Sequence, residues 1–543
     1  MRILVVGGVA AGASAATKAR RTNEDAEIVL FERGNYVSFA NCGLPYYIGG
    51  VIEDRDELLL VTPEMFKERF NIDVRINHEV MGVDAKKKTI TVRTAEGVVT
   101  ESYDKLILAT GGTPIVPKIK GINKDGVYHV FTVPDADRIV SRLEAGTKSA
   151  VVVGGGFIGL ESAENLREKG VEVTIVERLP QIMSNMDPEF SDVLIREFDA
   201  MGVKVLTGAS VAEISGRGKV SGVVLEDGTK LACDMVIMAA GVRSSVELAQ
   251  KAGLKLGVSG GVWTDATMRT SDPDIYAAGD MVESLNIVSG QKVRIPLAGS
   301  ANKQGRVAGA NAAGAHMLFK GVQGTAIIKV GGLTAARTGL NTREATLLNR
   351  DFECVYVPGF SNATYYPDAM PMVLKLTVEK QSGRLLGAQA IGRKGVDKRI
   401  DVLSTAIYAG LSVFDLENLD LAYAPPYSSA KDPVIMGGMI AANMIRGELD
   451  YALPQEIADY KKAGWVILDV RTPEEYKGGH VRGAKLLPVD ELRERYAELD
   501  PAKKYLVYCG VGYRAYNACL FLKAKGYTVK NMSGGMRAYN MNV

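Results

Sequence analysis

Residues 2–21, RILVVGGVAAGASAATKARR, open with an apolar run, turn at a glycine pair, and continue as an alanine-rich segment ending in basic residues. The pattern reads as a short buried strand, a tight turn and a helix. A second strand, AEIVLFER (26–33), follows and ends in Glu32. These parts form a dinucleotide-binding unit. Gly7 permits the turn, the first amides of the helix face a pyrophosphate, Gly12 lets helix and strand approach, and Glu32 can accept a hydrogen bond from a ribose hydroxyl. Val9 stands where the second glycine of GxGxxG usually sits. Taken alone, the stretch is equally a glycine-rich turn without a ligand.

The same unit returns at 150–178, AVVVGGGFIGLESAENLREKGVEVTIVER. Gly154, Gly156 and Gly159 complete GxGxxG, and Glu177 closes the next strand. Two such units imply two dinucleotides. Glu177 suits a ribose hydroxyl and repels the extra phosphate of NADP, which favours NADH, while Arg178 keeps NADPH open. Between and after the units, YDKLILATGGTP (103–114) reads as a strand delivering Thr110 and Gly111, and TSDPDIYAAGDMVE (270–283) places Asp280 just beyond another strand.

Across 543 residues the charge balances to +2, with 47% apolar and 24% charged residues, so several globular domains are expected and small molecules, not nucleic acid, are the expected partners. Five cysteines, at 42, 233, 354, 509 and 519, are scattered and odd in number, which predicts free thiols and a cytoplasmic setting. Four scattered histidines and isolated cysteines form no ligand set, so no metal is expected. MRILVVGG leaves no room for a signal peptide, and the apolar run PVIMGGMIAANMI (433–445) is too short to span a bilayer, so no membrane segment is expected.

After IRGELDYALPQEI (445–457) the pattern restarts as a second small α/β domain. KYLVY (504–508) leads into Cys509, and a helix follows Arg514. The loop of Cys509, Gly510, Val511, Gly512, Tyr513 and Arg514 therefore gathers backbone amides at a helix start, a cradle for an anionic sulfur. Cys233, Cys354 and Cys519 lie in apolar surroundings and read as core.

The two glycine units, ATGG and GD together resemble the two-dinucleotide flavoprotein disulfide reductases over residues 1 to about 447. That resemblance implies FAD at the first site and NAD(P)H at the second, with Asp280 on the flavin's ribityl chain. It assigns cofactor contacts to Gly7, Gly8, Ala11, Gly12, Glu32, Arg33, Ala109, Thr110, Gly111, Gly154, Gly156, Phe157, Ile158, Gly159, Glu177, Gly241, Gly279, Asp280, Leu297 and Ala298. The C-terminal segment, through DVRTPEEYKGGHVRGA (469–484) and Cys509, resembles a rhodanese domain with Cys509 as the persulfide carrier; the loop to Arg514 is one residue shorter than in phosphatases on the same scaffold. The implied fold is α/β, with two Rossmann-like dinucleotide-binding domains, an α+β dimerisation domain and an α/β rhodanese domain. The expected boundaries are 1–112 with 245–325 for FAD, 113–244 for NAD(P)H, 326–447 for dimerisation, 448–456 for a linker short enough to leave the last domain docked, and 457–543 for rhodanese.

SFANCGLPYYIGG (38–50) identifies the branch. Dithiol members carry CxxxxC and a late histidine, whereas Cys42 has no second cysteine near it and no histidine lies between His316 and His480. The segment resembles the single-cysteine branch of coenzyme A disulfide reductases, NADH oxidases, NADH peroxidases and persulfide reductases. Cys42 is then expected against the flavin, its pKa drawn below the usual ~8.5 by a helix start or a positive charge; the bland alternative is core filler, since cysteines are often core residues. Peroxidases carry a histidine near the first glycine loop, and GGVAAGAS has none. Ser14, Lys18 and Arg21 share one helix face, suited to an anion or simply to solvent. The resemblance makes them coenzyme A contacts together with Ser38, Asn41 and Lys431. Tyr365 and Tyr423, in TYYPDAM and LAYAPPYSSAKDP, are implied to act on the cysteine of a partner subunit in a homodimer, although proline-flanked tyrosines also make ordinary turns. The function implied is NAD(P)H-dependent reduction of coenzyme A persulfide, polysulfide or coenzyme A disulfide, releasing thiol and, from persulfides, hydrogen sulfide. The rivals are an NADH oxidase or peroxidase, and a redox-sensing sulfur relay without turnover.

Overall fold

The strand Arg2–Val6 lies at the centre of a parallel sheet, and four of its five side chains are buried. It pairs in parallel with Glu27–Phe31 on one side and Lys105–Leu108 on the other; Asp73–Arg75 and Ile275–Ala277 complete the five strands. The computed structural model describes residues 1–543 and divides them into two units, residues 1–183 with 198–322 and residues 184–197 with 323–543.

In the first unit, the helix Ala10–Thr22 buries its alanines against the helix Ala298–Ala312. Glycines allow that approach: a Cβ at Gly305 would lie 2.1 Å from the Ala11 carbonyl oxygen, and one at Gly309 would lie 2.1 Å from that of Ala15. A second parallel sheet runs in the order Lys204–Thr207, Glu172–Glu177, Ser149–Val153, Met235–Met238, Val127–Tyr128. The two sheets are the two halves expected from the repeated glycine unit. The chain passes between them on an antiparallel ribbon, Gly112–Pro114 paired with Val242–Ser244.

The second unit is built on a five-stranded antiparallel sheet, in the order Ala326–Val330, Leu333–Gly339, Leu385–Gly392, Pro371–Glu379, Phe352–Phe360. The helices Val396–Ala409 and Pro433–Ile445 cover it. The run that forms the second helix is apolar because it packs on the sheet, and no helix of the chain is long and apolar enough to cross a membrane. The C-terminal sheet is parallel, ordered Tyr451–Ala452, Thr528–Met532, Lys504–Tyr508, Val466–Asp469, Lys485–Leu486. Within 448–456, expected as a short linker that leaves the last domain docked, Tyr451–Ala452 forms an edge strand of this sheet: the Asp450 carbonyl accepts from the Asn531 amide at 3.0 Å and the Ala452 carbonyl from Ser533 at 2.9 Å. A two-residue strand is too short to show periodicity, which is why the pattern conceals it.

A buried ionic cluster ties this unit together. Lys375, 4% exposed, donates from Nζ to Asp187 and Glu189, each at 2.7 Å. Burial works against the ammonium, but Tyr356, Glu189 and Asp187 around it hold its pKa well above the ordinary value. Asp187 also accepts from Thr342 Oγ1 at 2.6 Å and Gln389 Nε2 at 2.7 Å. Tyr356 donates its hydroxyl to Glu189, accepts from Gln455 Nε2 at 2.8 Å, and donates its amide to Ser533 at 2.8 Å. One network thus joins the 184–197 segment, the antiparallel sheet and the C-terminal α/β region. Removing one partner leaves buried charge without compensation, so Lys375→Ala is expected to destabilise this unit by ~3–5 kcal/mol, seen as the early loss of its transition in denaturant unfolding.

Candidate active site

Parallel strands end on one edge, and in the first sheet that edge gathers three turns. Gly7–Val9, Ala109–Gly111 and Gly279–Asp280 follow the neighbouring strands Arg2–Val6, Lys105–Leu108 and Ile275–Ala277. Gly7 has φ +101°, and a Cβ there would lie 2.2 Å from the Ala109 carbonyl oxygen; a Cβ at Gly12 would lie 1.7 Å from that of Gly7. Both positions therefore exclude any side chain. Glu32 closes the adjacent strand, and its carboxylate accepts from the amides of Gly8 and Gly34, each at 2.8 Å. Gly279 (φ +85°) would bring a Cβ 3.0 Å from that of Ala11, and its amide donates to Gln304 at 2.8 Å. Leu297 and Ala298 start the long helix that crosses Ala11. Thr110 donates its hydroxyl to the Ser245 carbonyl at 2.8 Å, and Arg33 projects into solvent.

The second sheet repeats this geometry. A Cβ at Gly154 (φ +117°) would lie 2.2 Å from the Ala239 carbonyl oxygen, and one at Gly159 would lie 2.0 Å from that of Gly154. Glu177 accepts from Gly155 at 2.6 Å and Leu179 at 2.7 Å. Gly241 follows the strand next to the glycine turn, while Gly156, Phe157 and Ile158 lie at the helix start, where a Cβ on Gly156 would meet nothing within 4 Å. Open space before a glycine, amides at a helix start and a strand-terminal carboxylate suit a dinucleotide at each edge. The first site carries Val9 in place of the second glycine but keeps the other features.

Cys42 lies in a 3₁₀ turn, Asn41–Gly43, leading into the helix Leu44–Ile48, and is the one exposed cysteine. The other four are buried, Cys509 among them; Cys233, Cys354 and Cys519 are core, with pKa values pushed up by burial above all. The expected lowering of the Cys42 pKa does not come from the chain. Burial, then the carboxylates of Glu161 and Asp280, hold it above the ordinary thiol value. Ser38 adopts φ +47°, a strained left-handed conformation for a serine, with its amide donating to the Gly8 carbonyl at 2.8 Å. That bond fixes the chain entering the cysteine turn to the first glycine turn.

Glu161 is a residue that the motifs passed over. It sits on the helix Phe157–Glu168, which opens at the second glycine turn and packs against Leu44–Ile48. Burial, reinforced by Glu164, raises its pKa to about 7. It also acts on Tyr46, whose pKa is pushed up to about 12, mainly by burial. Its signal is an acid in the small, apolar stretch FIGLESAE, two positions beyond Gly159, the last glycine of the motif.

Ser14, Lys18 and Arg21 occupy the solvent-facing side of their helix, opposite the buried Ala11, Ala15 and Ala19. Ser14 donates to Asn302 Oδ1 at 2.7 Å, and Arg21 bends back to the Thr17 carbonyl at 3.1 Å. In the second unit, the Tyr365 and Tyr423 hydroxyls are 2.8 Å apart, and both residues line a cavity of about 270 Å³ together with Lys431. The hydrogen bond to Tyr423 raises the Tyr365 pKa.

The Cys509 sulfur accepts from the Gly512 amide at 3.2 Å, and Gly512 has φ +99° at the start of the helix Tyr513–Ala524. Gly510 precedes the exposed Val511, and Tyr513 is exposed beyond it. Arg514 forms a two-pronged pair with Glu475, at 2.7 and 2.6 Å, and also faces the Cys509 sulfur. The paired guanidinium pulls the Glu475 pKa down to about 2. The leading DVR motif forms its own buried pair, Arg471 Nη2 to Asp469 at 2.7 Å, with Arg471 bonded to the Gly479 carbonyl at 2.7 Å.

Three family models match the chain: pyridine nucleotide-disulphide oxidoreductase over residues 1–305, the dimerisation domain of that family over 325–433, and a rhodanese-like domain over 453–542. The fold is similar to the crystal structure of reduced Bacillus anthracis CoADR-RHD, with TM-score 0.97 and 44% identity over 99% of this chain and 97% of that one. It is also similar to an NAD-dependent persulfide reductase from A. fulgidus, with TM-score 0.93 and 41% identity over 99% and 100%. An NAD(P)H coenzyme A polysulfide/persulfide reductase of Pyrococcus horikoshii is 35% identical over 80% of this chain and 97% of its own.

Because the folded pKa of Glu161 is raised, its stabilising contribution is complete below about 4.5 and is lost as pH rises through about 7. Glu161→Gln is expected to flatten the fall in thermal midpoint between about pH 4.5 and 7, and an unchanged slope in the variant would assign that fall elsewhere.

Proposed function

As the chain belongs to the pyridine nucleotide-disulphide oxidoreductase family and carries a rhodanese-like domain, we propose that it reduces coenzyme A persulfide, polysulfide or coenzyme A disulfide with electrons from NAD(P)H. The observation that carries this reading is the contrast among five free cysteines: one exposed thiol beside the first dinucleotide edge, one sulfur held by a converging amide loop, and three in core. FAD held at the first edge by the glycine turn, Glu32 and Asp280 would supply a two-electron carrier between a reduced nicotinamide at the second edge and the sulfur of Cys42.

Cys42 as thiolate attacks one sulfur of the substrate's S–S bond. The bond breaks, Cys42 is left in a mixed disulfide, and the departing sulfur takes a proton; from a persulfide attacked at the coenzyme A sulfur, the departing group is hydrogen sulfide. Two electrons then return Cys42 to the thiolate and free coenzyme A. Tyr365 and Tyr423 supply the proton. One phenol donates to the other, and the acceptor keeps its own hydrogen to give to the leaving sulfur. Ser14, Lys18, Arg21, Ser38, Asn41 and Lys431 are proposed to hold coenzyme A, the cations pairing with its phosphates.

Glu177, a carboxylate fixed by two backbone amides, supports NADH over NADPH because its charge would repel an extra phosphate on the ribose. Tyr365, Tyr423 and Tyr427 are 74, 48 and 72% exposed, an aromatic patch suited to a second copy of the chain. The homodimer would bring these phenols to the partner's cysteine, and five free thiols suit a cytoplasmic setting.

Cys42→Ser is expected to lower anaerobic NADH-dependent reduction of coenzyme A persulfide by more than ~10³-fold, while NADH still bleaches the flavin; retained turnover removes Cys42 from the chemistry. In the same assay, oxygen or peroxide outpacing every sulfur substrate would establish the oxidase or peroxidase reading, and a single stoichiometric reduction without turnover the sensor. Cys509→Ser is expected to abolish sulfur transfer from thiosulfate to cyanide and to leave reduction of a small persulfide within about twofold of the parent. Tyr365→Phe with Tyr423→Phe should cost ~10²-fold in kcat.

A further inference from the structure

Arg537 lies outside every motif discussed above. Its amide donates to the Gly510 carbonyl at 3.0 Å, and the Met536 amide donates to the Cys509 carbonyl at 2.9 Å, so the start of the helix Gly535–Asn540 is stitched to the sulfur-carrying loop. Gly535 is pressed against the same loop: a Cβ there would lie 2.3 Å from the Cys509 carbonyl oxygen. Gly534 meets the antiparallel sheet, where a Cβ would lie 2.8 Å from that of Tyr356 and 3.3 Å from Pro358. The Arg537 guanidinium extends over the Phe360 ring, 4.6 Å from its centroid.

This guanidinium is incompletely satisfied. Nη1 is buried and has no hydrogen-bond partner, and burial lowers the pKa of the side chain. Leaving a charged donor desolvated and unpaired costs free energy that a ring contact only partly offsets. Phe360 also lines the cavity of about 270 Å³ that holds Tyr365, Tyr423 and Lys431. That lining contains a lysine and no carboxylate, so its charge favours an anion. The volume suits a small anion or the end of a longer molecule, and is too small for a whole dinucleotide-sized ligand.

We infer that Arg537 is the anion-binding residue of a sulfur-donor site at the Cys509 loop, separated from this cavity by the Phe360 ring that both touch, and that its ligand is an anionic sulfane-sulfur compound. The inference rests on the reading of Cys509 as a sulfur carrier. Thiosulfate, or the phosphorylated end of a coenzyme A persulfide, could each supply the negative charge to Nη1.

The test is calorimetric titration of the full chain bearing Cys509→Ser, which cannot consume the donor, with thiosulfate and separately with coenzyme A. Adding Arg537→Met is expected to weaken binding of at least one of them about tenfold or more. Arg537→Lys, which keeps the charge, should recover part of the loss, and only variants that melt like the parent are compared. Weakening confined to thiosulfate assigns the site to small sulfur oxyanions, whereas weakening confined to coenzyme A assigns it to the phosphorylated carrier; either supports the site. Undiminished binding of both ligands in the Arg537→Met chain, or no binding of either to the parent, overturns it. If Arg537-dependent binding persists but the wild-type chain transfers no sulfur from thiosulfate to cyanide, the anion site stands and the sulfur-carrier reading of Cys509 falls.

Discussion

The first unit depends on backbone meeting backbone at two glycine pairs. At Gly7 and Gly12, and again at Gly154 and Gly159, a carbonyl oxygen occupies the place of a side chain, at 1.7 to 2.2 Å from where a Cβ would be. That approach sets each helix start against its strand, so that the first amides of the helix open onto the sheet edge. The acids follow from the same geometry. Glu32 and Glu177 end the neighbouring strands and reach back to the turns, each through one bond to the second residue of the glycine run and one to the residue two positions after itself. The two halves are therefore a structural repeat as well as a sequence repeat.

Around Cys42 the chain supplies negative charge, from Glu161 and Asp280, besides burial. The protein by itself thus favours the protonated thiol. Glu161 also ties this neighbourhood to the second sheet, because the helix carrying it begins at the second glycine turn and packs against the helix following Cys42.

The second unit solves a different problem, fastening a parallel α/β region to an antiparallel sheet. It does so with charge and hydrogen bonds: Lys375 pairs with Asp187 and Glu189, and Tyr356 passes the connection to Gln455 and Ser533. Such clusters are directional and tolerate little displacement. The Cys509 loop is consequently held in a defined position against the strand that ends in Phe360.

Features encoded by local spacing were legible in the chain itself. The glycine turns, the strand-terminal Glu32 and Glu177, and the Cys509-to-Arg514 loop each occupy a few consecutive residues or one strand–turn–helix unit, within which backbone geometry dictates which residue types fit. Folding alone decided what distant segments do to one another. Glu161 stands near a thiol more than a hundred positions away, Tyr365 pairs with Tyr423, residues 451–452 add an edge strand, and Arg537 lies over Phe360. No periodicity records these meetings, because they arise from how whole elements pack, and the charges and pKa values that result belong to the packed neighbourhood instead of to any single stretch of chain.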